Sequence, residues 1–118
     1  MELIEKAAKI LIDKRNVCVL TGAGISVDSG IPDFRSPGGI WERFKPEEYA
    51  HIKSFKKNPV KLWKFFNTLE DEWGDANPNA GHFALADLEK LGIINSILTQ
   101  NIDFLHQKAG SKKVIELH

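Results

Sequence analysis

The sequence predicts an α/β fold built on a parallel sheet, and three observations carry that expectation. Short apolar runs at 17–21, 93–99 and 114–117 have the length and the β-branched content of strands. Stretches with helical spacing separate them, and glycine or a polar pair marks each passage from helix to strand. Such alternation implies parallel strands joined by right-handed crossovers. At 118 residues, with 42% hydrophobic and 27% charged positions, the chain suits one soluble globular domain with one modest core.

Residues 2–14 place Leu3, Ile4, Ala7, Ala8 and Leu11 at helical spacing. Glu2, Glu5, Lys6 and Lys9 interrupt them, so this amphipathic helix is neither a signal peptide nor a membrane span. Arg15 and Asn16 turn the chain into 17–21, whose unbroken apolar run is typical of a strand buried on both faces. Cys18, the only cysteine, is expected there as a buried structural thiol, and no disulfide or four-cysteine zinc site can form within the chain. The stretch 22–41 holds five glycines and two prolines, too many for a helix or strand interior, yet it is too apolar and aromatic for a solvated linker. A structured loop is expected.

Residues 47–50 suit one helical turn, and 59–73 carry apolar side chains at 60, 62, 63, 65, 66 and 69, the buried face of a helix that Gly74 ends. Pro78 fits an early position of the next helix, which Phe83, Leu85, Ala86, Leu88 and Leu91 continue until Gly92 caps it. After the strand at 93–99, residues 101–109 predict a short helix stopped by Gly110, and 114–117 the third strand. Three strands are few for an open doubly wound sheet, so the sheet is expected to continue beyond residue 118. Lysine plus arginine equal aspartate plus glutamate at 16 each, so no long-range field favours nucleic acid, an anionic membrane or a strongly basic partner. Recognition is expected from a local site, and the protein is expected in the cytoplasm.

Four clusters carry chemistry. Thr21, Gly22, Ala23, Gly24, Ile25 and Ser26 follow a strand, and small residues there let backbone amides approach a pyrophosphate. The third glycine of a dinucleotide fingerprint would fall at Val27, so the match to ordinary dehydrogenases is incomplete, and a structural turn explains the loop equally well. Gly30, Ile31, Pro32, Asp33, Phe34, Arg35 and Ser36 put an acid, an aromatic and a guanidinium on one loop; an Asp33–Arg35 ion pair beside a core phenylalanine is the bland alternative. Thr99, Gln100, Asn101, Ile102 and Asp103 stand at the carboxyl end of a strand, where open α/β sheets place ligands, although Asn101 also suits a helix cap. Glu116, Leu117 and His118 end the third strand, and a histidine there can serve as a base near neutral pH. His51, His82 and His106 lie in or beside helices without metal-ligand spacing, so no metal is expected in the chain.

In this order and at these separations the four clusters resemble the N-terminal, NAD-binding part of a sirtuin, an NAD-dependent protein lysine deacylase. Pro78 with Asn79 and His82, and His106 with Gln107, Ala109 and Gly110, are also similar to family positions, so the resemblance runs from about residue 2 to the end. It implies a Rossmann-like sheet with helices on both faces, incomplete in this chain, with 1–118 a partial NAD-binding domain. The four-cysteine zinc module, the peptide cleft and the adenosine-binding strands of the family would lie elsewhere.

By the same resemblance Gly22, Ala23, Gly24 and the turn through Val27 would contact the NAD pyrophosphate, and Phe34 would cover the reacting ribose. Asp33 and Arg35 would order the loop, with Trp41 among the cofactor-side residues. Gln100 and Asn101 would contact the nicotinamide-side ribose and a water, and Ile102 and Asp103 would receive the nicotinamide carboxamide. His118 would be the catalytic base. NAD is then a consumed co-substrate, an acyl-lysine protein or peptide is the partner, and the products are free lysine, nicotinamide and 2′-O-acyl-ADP-ribose. Sirtuins that take succinyl or malonyl groups share a Tyr-x-x-Arg pair on the helix here at 59–73; Phe66 and Leu69 align with it, which points to acetyl or another neutral acyl group. The isolated chain is expected to be inactive or very weak. A non-enzymatic NAD or ADP-ribose binding module and an NAD-dependent ADP-ribosyltransferase remain as alternatives, while Val27 disfavours a dehydrogenase.

Overall fold

The computed structural model describes every residue, Met1–His118, and holds one parallel sheet of three strands, β1 (Val17–Thr21), β2 (Ile94–Thr99) and β3 (Val114–Glu116), in that spatial order. Thr21 aligns with Thr99 and Thr99 with Glu116, so all three strands point their carboxyl ends to one edge. Helix α1 (Glu2–Lys14) precedes β1, and a 3-10 helix (Ala23–Ser29) follows it. Then come α2 (Ile40–Arg43), α3 (Pro46–Tyr49), α4 (Ile52–Lys57), α5 (Pro59–Trp73) and α6 (Ala80–Lys90) before β2, and α7 (Leu105–Lys108) before β3.

Local chemistry sets the element ends. The Asn58 side chain accepts the Lys61 amide and Pro59 opens α5, a residue whose missing N–H costs nothing at that position. Asn79 and His82 form a capping box at the start of α6: the Asn79 side chain accepts the Gly81 amide while His82 Nδ1 accepts the Asn79 amide. This cap moves the start of α6 to Ala80, past Pro78. Helix α7 starts at Leu105 rather than 101, because Phe104 takes a left-handed φ of 59° and Asp103 Oδ1 receives the Leu105 amide.

Two cores result. Ile94, Ile97, Ala86, Leu105 and Ala109 are buried where α6 and α7 lie against the sheet. Ile40, Phe65 and Leu69 form a second cluster beside the sheet edge, surrounded by Phe34, Trp41, Phe44, Tyr49 and Trp73. Aromatic pairs fill it, with Phe44 edge-on to Phe65 at 4.8 Å between centroids.

Three expectations are corrected. Strand β1 is not buried on both faces: Val17, Val19 and Thr21 face inward, whereas Cys18 and Leu20 are exposed, so Cys18 is not a buried thiol. Alternate residues of a strand point to opposite sides, and the side bearing Cys18, Leu20 and Ile115 is open to solvent. Helix α4 was not foreseen, since it is six residues long and buries none of them. The stretch 22–41 is not continuous loop: it contains the 3-10 helix, which Gly30 ends at a φ of 86°, and the start of α2.

Candidate functional site

At the carboxyl edge of the sheet lies a cleft of about 700 Å³, bounded by the glycine turn after β1, the 31–35 loop, helix α5 and the segment after β2. Gly22, Ala23, Gly24, Asp33, Phe34, Arg35, Trp41, Gln100, Asn101, Ile102, Asp103 and His118 all line it. Val27 is the one candidate that does not; it sits in the second turn of the 3-10 helix, about half exposed, away from the cleft wall.

The glycine wall is tied to the end of β2. Asn101 Nδ2 donates to the Gly22 carbonyl at 3.0 Å and the Gln100 amide to the Thr21 carbonyl at 3.0 Å. Beneath them Thr21 Oγ1 donates to Thr99 Oγ1, which also accepts the Asn101 amide, while His106 Nε2 meets Thr21 Oγ1 at 2.8 Å. The amides of Ala23 and Gly24 bond to no other backbone group, as expected at the first turn of a helix, and Gly24 presents no side chain to obstruct them.

The opposite wall is the 33–41 loop. Asp33 does not pair with Arg35; its carboxylate accepts the Ser36 amide at 2.8 Å and the Ser36 hydroxyl at 2.5 Å. Those bonds hold the Asp33 carboxyl below its ordinary range. The Ile40 and Trp41 amides donate to the Asp33 and Phe34 carbonyls at 2.9 and 3.0 Å, folding the loop onto α2. Phe34 is not a core residue but half-buried against Trp41, with ring centroids 5.1 Å apart, and Trp41 stacks on Phe65 in turn.

A buried polar line reaches the cleft from α6. His82 Nδ1 accepts the Asn79 amide, so its neutral ring carries the proton on Nε2, which faces Ser26 Oγ at 3.5 Å; Ser26 donates to Asp103 Oδ2 at 2.6 Å. Asp103 Oδ1 receives the Leu105 amide, so both carboxylate oxygens are oriented. Burial lowers the pKa of His82, with the Asp103 charge opposing it, and burial does the same at His106, seconded by the nearby His82. Ser26 belongs to the turn through Val27 expected at the pyrophosphate and His82 to a family-like position, but the sequence points for neither to a role in orienting Asp103. The capping pattern of Asn79 and His82 was the available signal, but nothing local connects it to a serine more than fifty residues earlier.

The remaining wall is apolar, from Ile31, Phe65, Phe66, Leu69 and Trp73. Phe66 and Leu69 both stand on it, and neither offers a hydroxyl or a guanidinium.

A model described as the Sir2 family matches residues 22–118. The chain is 53% identical over 116 residues to an NAD-dependent protein deacetylase of Saccharolobus solfataricus, covering 98% of this chain and 47% of that protein. It is 50% identical over 115 residues to an NAD-dependent protein deacylase of Archaeoglobus fulgidus, covering 98% of this chain and 45% of the other. A solved Sir2 enzyme superimposes with a TM-score of 0.85 at 50% identity, covering 98% of this chain and 45% of that one. A Sir2 variant in complex with a deacetylated p53 peptide and 3′-O-acetyl-ADP-ribose does so at 0.79 and 44%, covering 95% and 46%. The chain thus spans about half the length of the relatives it matches. With the family's description matching from the glycine turn to His118, the chain belongs to the Sir2 family.

Proposed function

We propose that this chain supplies the NAD-binding half of an NAD-dependent protein lysine deacylase. The observation that carries the reading is the convergence of all but one of the candidate residues, drawn from four separated segments, on a single cleft. The deacylases and deacetylases it is similar to, and the peptide and acetyl-ADP-ribose complex of a Sir2 variant, support it.

Bound NAD would supply an activated ribose carbon from which nicotinamide departs. The chain's part is to bind and orient. The free amides of Ala23 and Gly24 would face the pyrophosphate, where a helix start favours negative charge. Phe34, held on the Trp41 ring that itself stacks on Phe65, would exclude water from the ribose. Asp103, fixed by Ser26 and by the Leu105 amide, would accept the carboxamide N–H of nicotinamide, with Ile102 beside it and Gln100 and Asn101 toward the ribose. His118, at the cleft after β3, would take a proton from a ribose hydroxyl. Phe66 and Leu69 leave an acyl carboxylate without a donor at those two positions, so acetyl or another neutral acyl group fits. The four-cysteine zinc module has no counterpart here, where Cys18 is the sole cysteine, and in this reading it belongs to the rest of the parent protein.

Nicotinamide release from NAD with an acetyl-lysine peptide tests the proposal. Three proteins are compared: this chain, a form extended past His118, and the extended form with His118→Ala. Turnover in the extended wild type, with a drop of about a hundredfold or more in His118→Ala, is expected for loss of a general base. Binding of NAD with no turnover in any form would instead mark a binding module, and transfer of label from NAD onto protein would mark an ADP-ribosyltransferase.

A further inference from the structure

A second cavity, of about 370 Å³, opens between α3 and the first turns of α5. It shares only Tyr49 and Phe65 with the cleft, so those two side chains divide one space from the other. Its floor is three rings in mutual contact: Phe44 stands edge-on to Tyr49 at 5.2 Å and to Phe65 at 4.8 Å, and Tyr49 and Phe65 lie 4.8 Å apart. The rim is polar and carries no acid, with Asn58, Lys61 and Lys64 on it. Lys61 is committed, donating to Glu48 and lying 4.7 Å from the centre of the Tyr49 ring. Lys64 joins none of the chain's three ion pairs, and Asn58, whose Oδ1 accepts the Lys61 amide, keeps its Nδ2 donor unspent. The surrounding sequence is of one sign: residues 49–69 hold five lysines and no aspartate or glutamate, although the whole chain balances 16 against 16. A local positive potential survives overall neutrality because salt screens charges farther off than about 8 Å.

We propose that this cavity is a second ligand site, separate from the cleft, that takes a small aromatic monocarboxylate. The ligand's ring lies on the Phe44, Tyr49 and Phe65 floor, where edge-to-face and offset contacts are favoured. Its carboxylate meets Lys64 Nζ and Asn58 Nδ2, the two donors the fold leaves uncommitted on the rim. One charge is the limit, since a second anionic group would compete with Glu48 for Lys61. The lysines repel a cation, and a neutral ring gains the floor without the rim, so charge selects the ligand. Neither Lys64 nor Asn58 lines the cleft, and the inference stands apart from the deacylase reading.

The test is a calorimetric titration of the full-length protein with 2-naphthoate and with the neutral 2-naphthamide, in wild type, Lys64→Met and Thr68→Trp. Naphthoate is expected to bind wild type with a Kd on the order of 1 mM or tighter, the reach of a ligand of that size. Naphthamide should bind about three- to tenfold more weakly, as it lacks the charge that Lys64 meets. In Lys64→Met, which keeps the apolar stem and loses the ammonium, the two ligands should bind alike. Thr68→Trp puts an indole into the cavity and should abolish binding with Tm nearly unchanged. Saturating ADP-ribose should leave the naphthoate affinity as it is. No binding of naphthoate to wild type, equal affinity of wild type for the two ligands, a preference for naphthoate that survives in Lys64→Met, or displacement of naphthoate by ADP-ribose overturns the site. So does undiminished binding in a Thr68→Trp protein of wild-type Tm; if that variant is destabilised, the Lys64→Met comparison decides. A wild type that binds no ADP-ribose counts against the NAD reading, and the naphthoate and naphthamide comparison still decides this one.

Discussion

Gly39 shows how narrowly the cleft wall is built. A Cβ there would lie 2.7 Å from the carbonyl oxygens of both Asp33 and Ser36, although its φ of −74° suits any residue; the constraint is space alone. Gly39→Ala is expected to part the loop at the Ile40-to-Asp33 bond, to cost about 1–3 kcal/mol as an overpacked site does, and to weaken ADP-ribose binding. Thermal unfolding and calorimetric titration check it; wild-type values for both would mean the loop has slack that the structure does not show. Ser26 is a second such position, 1% exposed, donating to Asp103 with His82 behind it. Ser26→Ala leaves an acceptor and a donor without their partner, a loss of about 1–3 kcal/mol of stability measurable by denaturant titration. The sequence displayed Ser26 inside a glycine motif but not its bond to Asp103. For Asp33 the nearby cation Arg35 suggested a pair, whereas a short carboxylate reaches an amide three residues on more readily than a long flexible guanidinium settles beside it.

Helices α6 and α7 meet through His82 and His106, whose rings stand 5.0 Å apart, edge to face, and are 0% and 1% exposed. Burial holds both below the ordinary value of 6.5. As pH falls below about 6.5 the unfolded chain therefore takes up protons before the folded one. The stability these neutral rings contribute is complete above that value and is lost as pH falls through their folded values. A protonated His106 would also carry an Nδ1–H with nothing to receive it, since that atom has no partner. Tm is expected to fall steeply on acidification below about 6.5, and His106→Gln to flatten the slope while lowering Tm at neutral pH. An equal slope in wild type and variant would show that other groups govern acid unfolding. Among the elements, α1 and α5 were legible because their helical spacing is sustained over 13 and 15 residues, and β1 because its apolar run is bounded by Arg15-Asn16 and Gly22. Helix α4 was not, because six exposed residues present no buried stripe to read.

The molecule as a whole leaves apolar surface uncovered. Leu20 and Ile115 are 65% and 52% exposed on the open face of the sheet, and Leu3 and Ile4 of α1 are 80% and 73% exposed. Patches of this kind on a free chain favour association. The 118-residue chain is expected to self-associate with rising concentration, and Leu20→Lys with Ile115→Lys to reduce it; light scattering after size-exclusion chromatography reports the mass. A monomer at all concentrations for both forms would contradict the expectation.

The fold class, most element positions and the four clusters of the cleft were readable in the residues, since strand alternation, helical spacing and turn chemistry act over a few neighbours. The structure alone decided that Ser26 meets Asp103, that His82 stands behind them, that Arg43 grips Glu72, that Val27 leaves the cleft wall and that Cys18 faces solvent. Each of these depends on how crossovers bring distant segments together and on which sheet face finds a cover, and those are outcomes of packing that no local pattern of residues encodes.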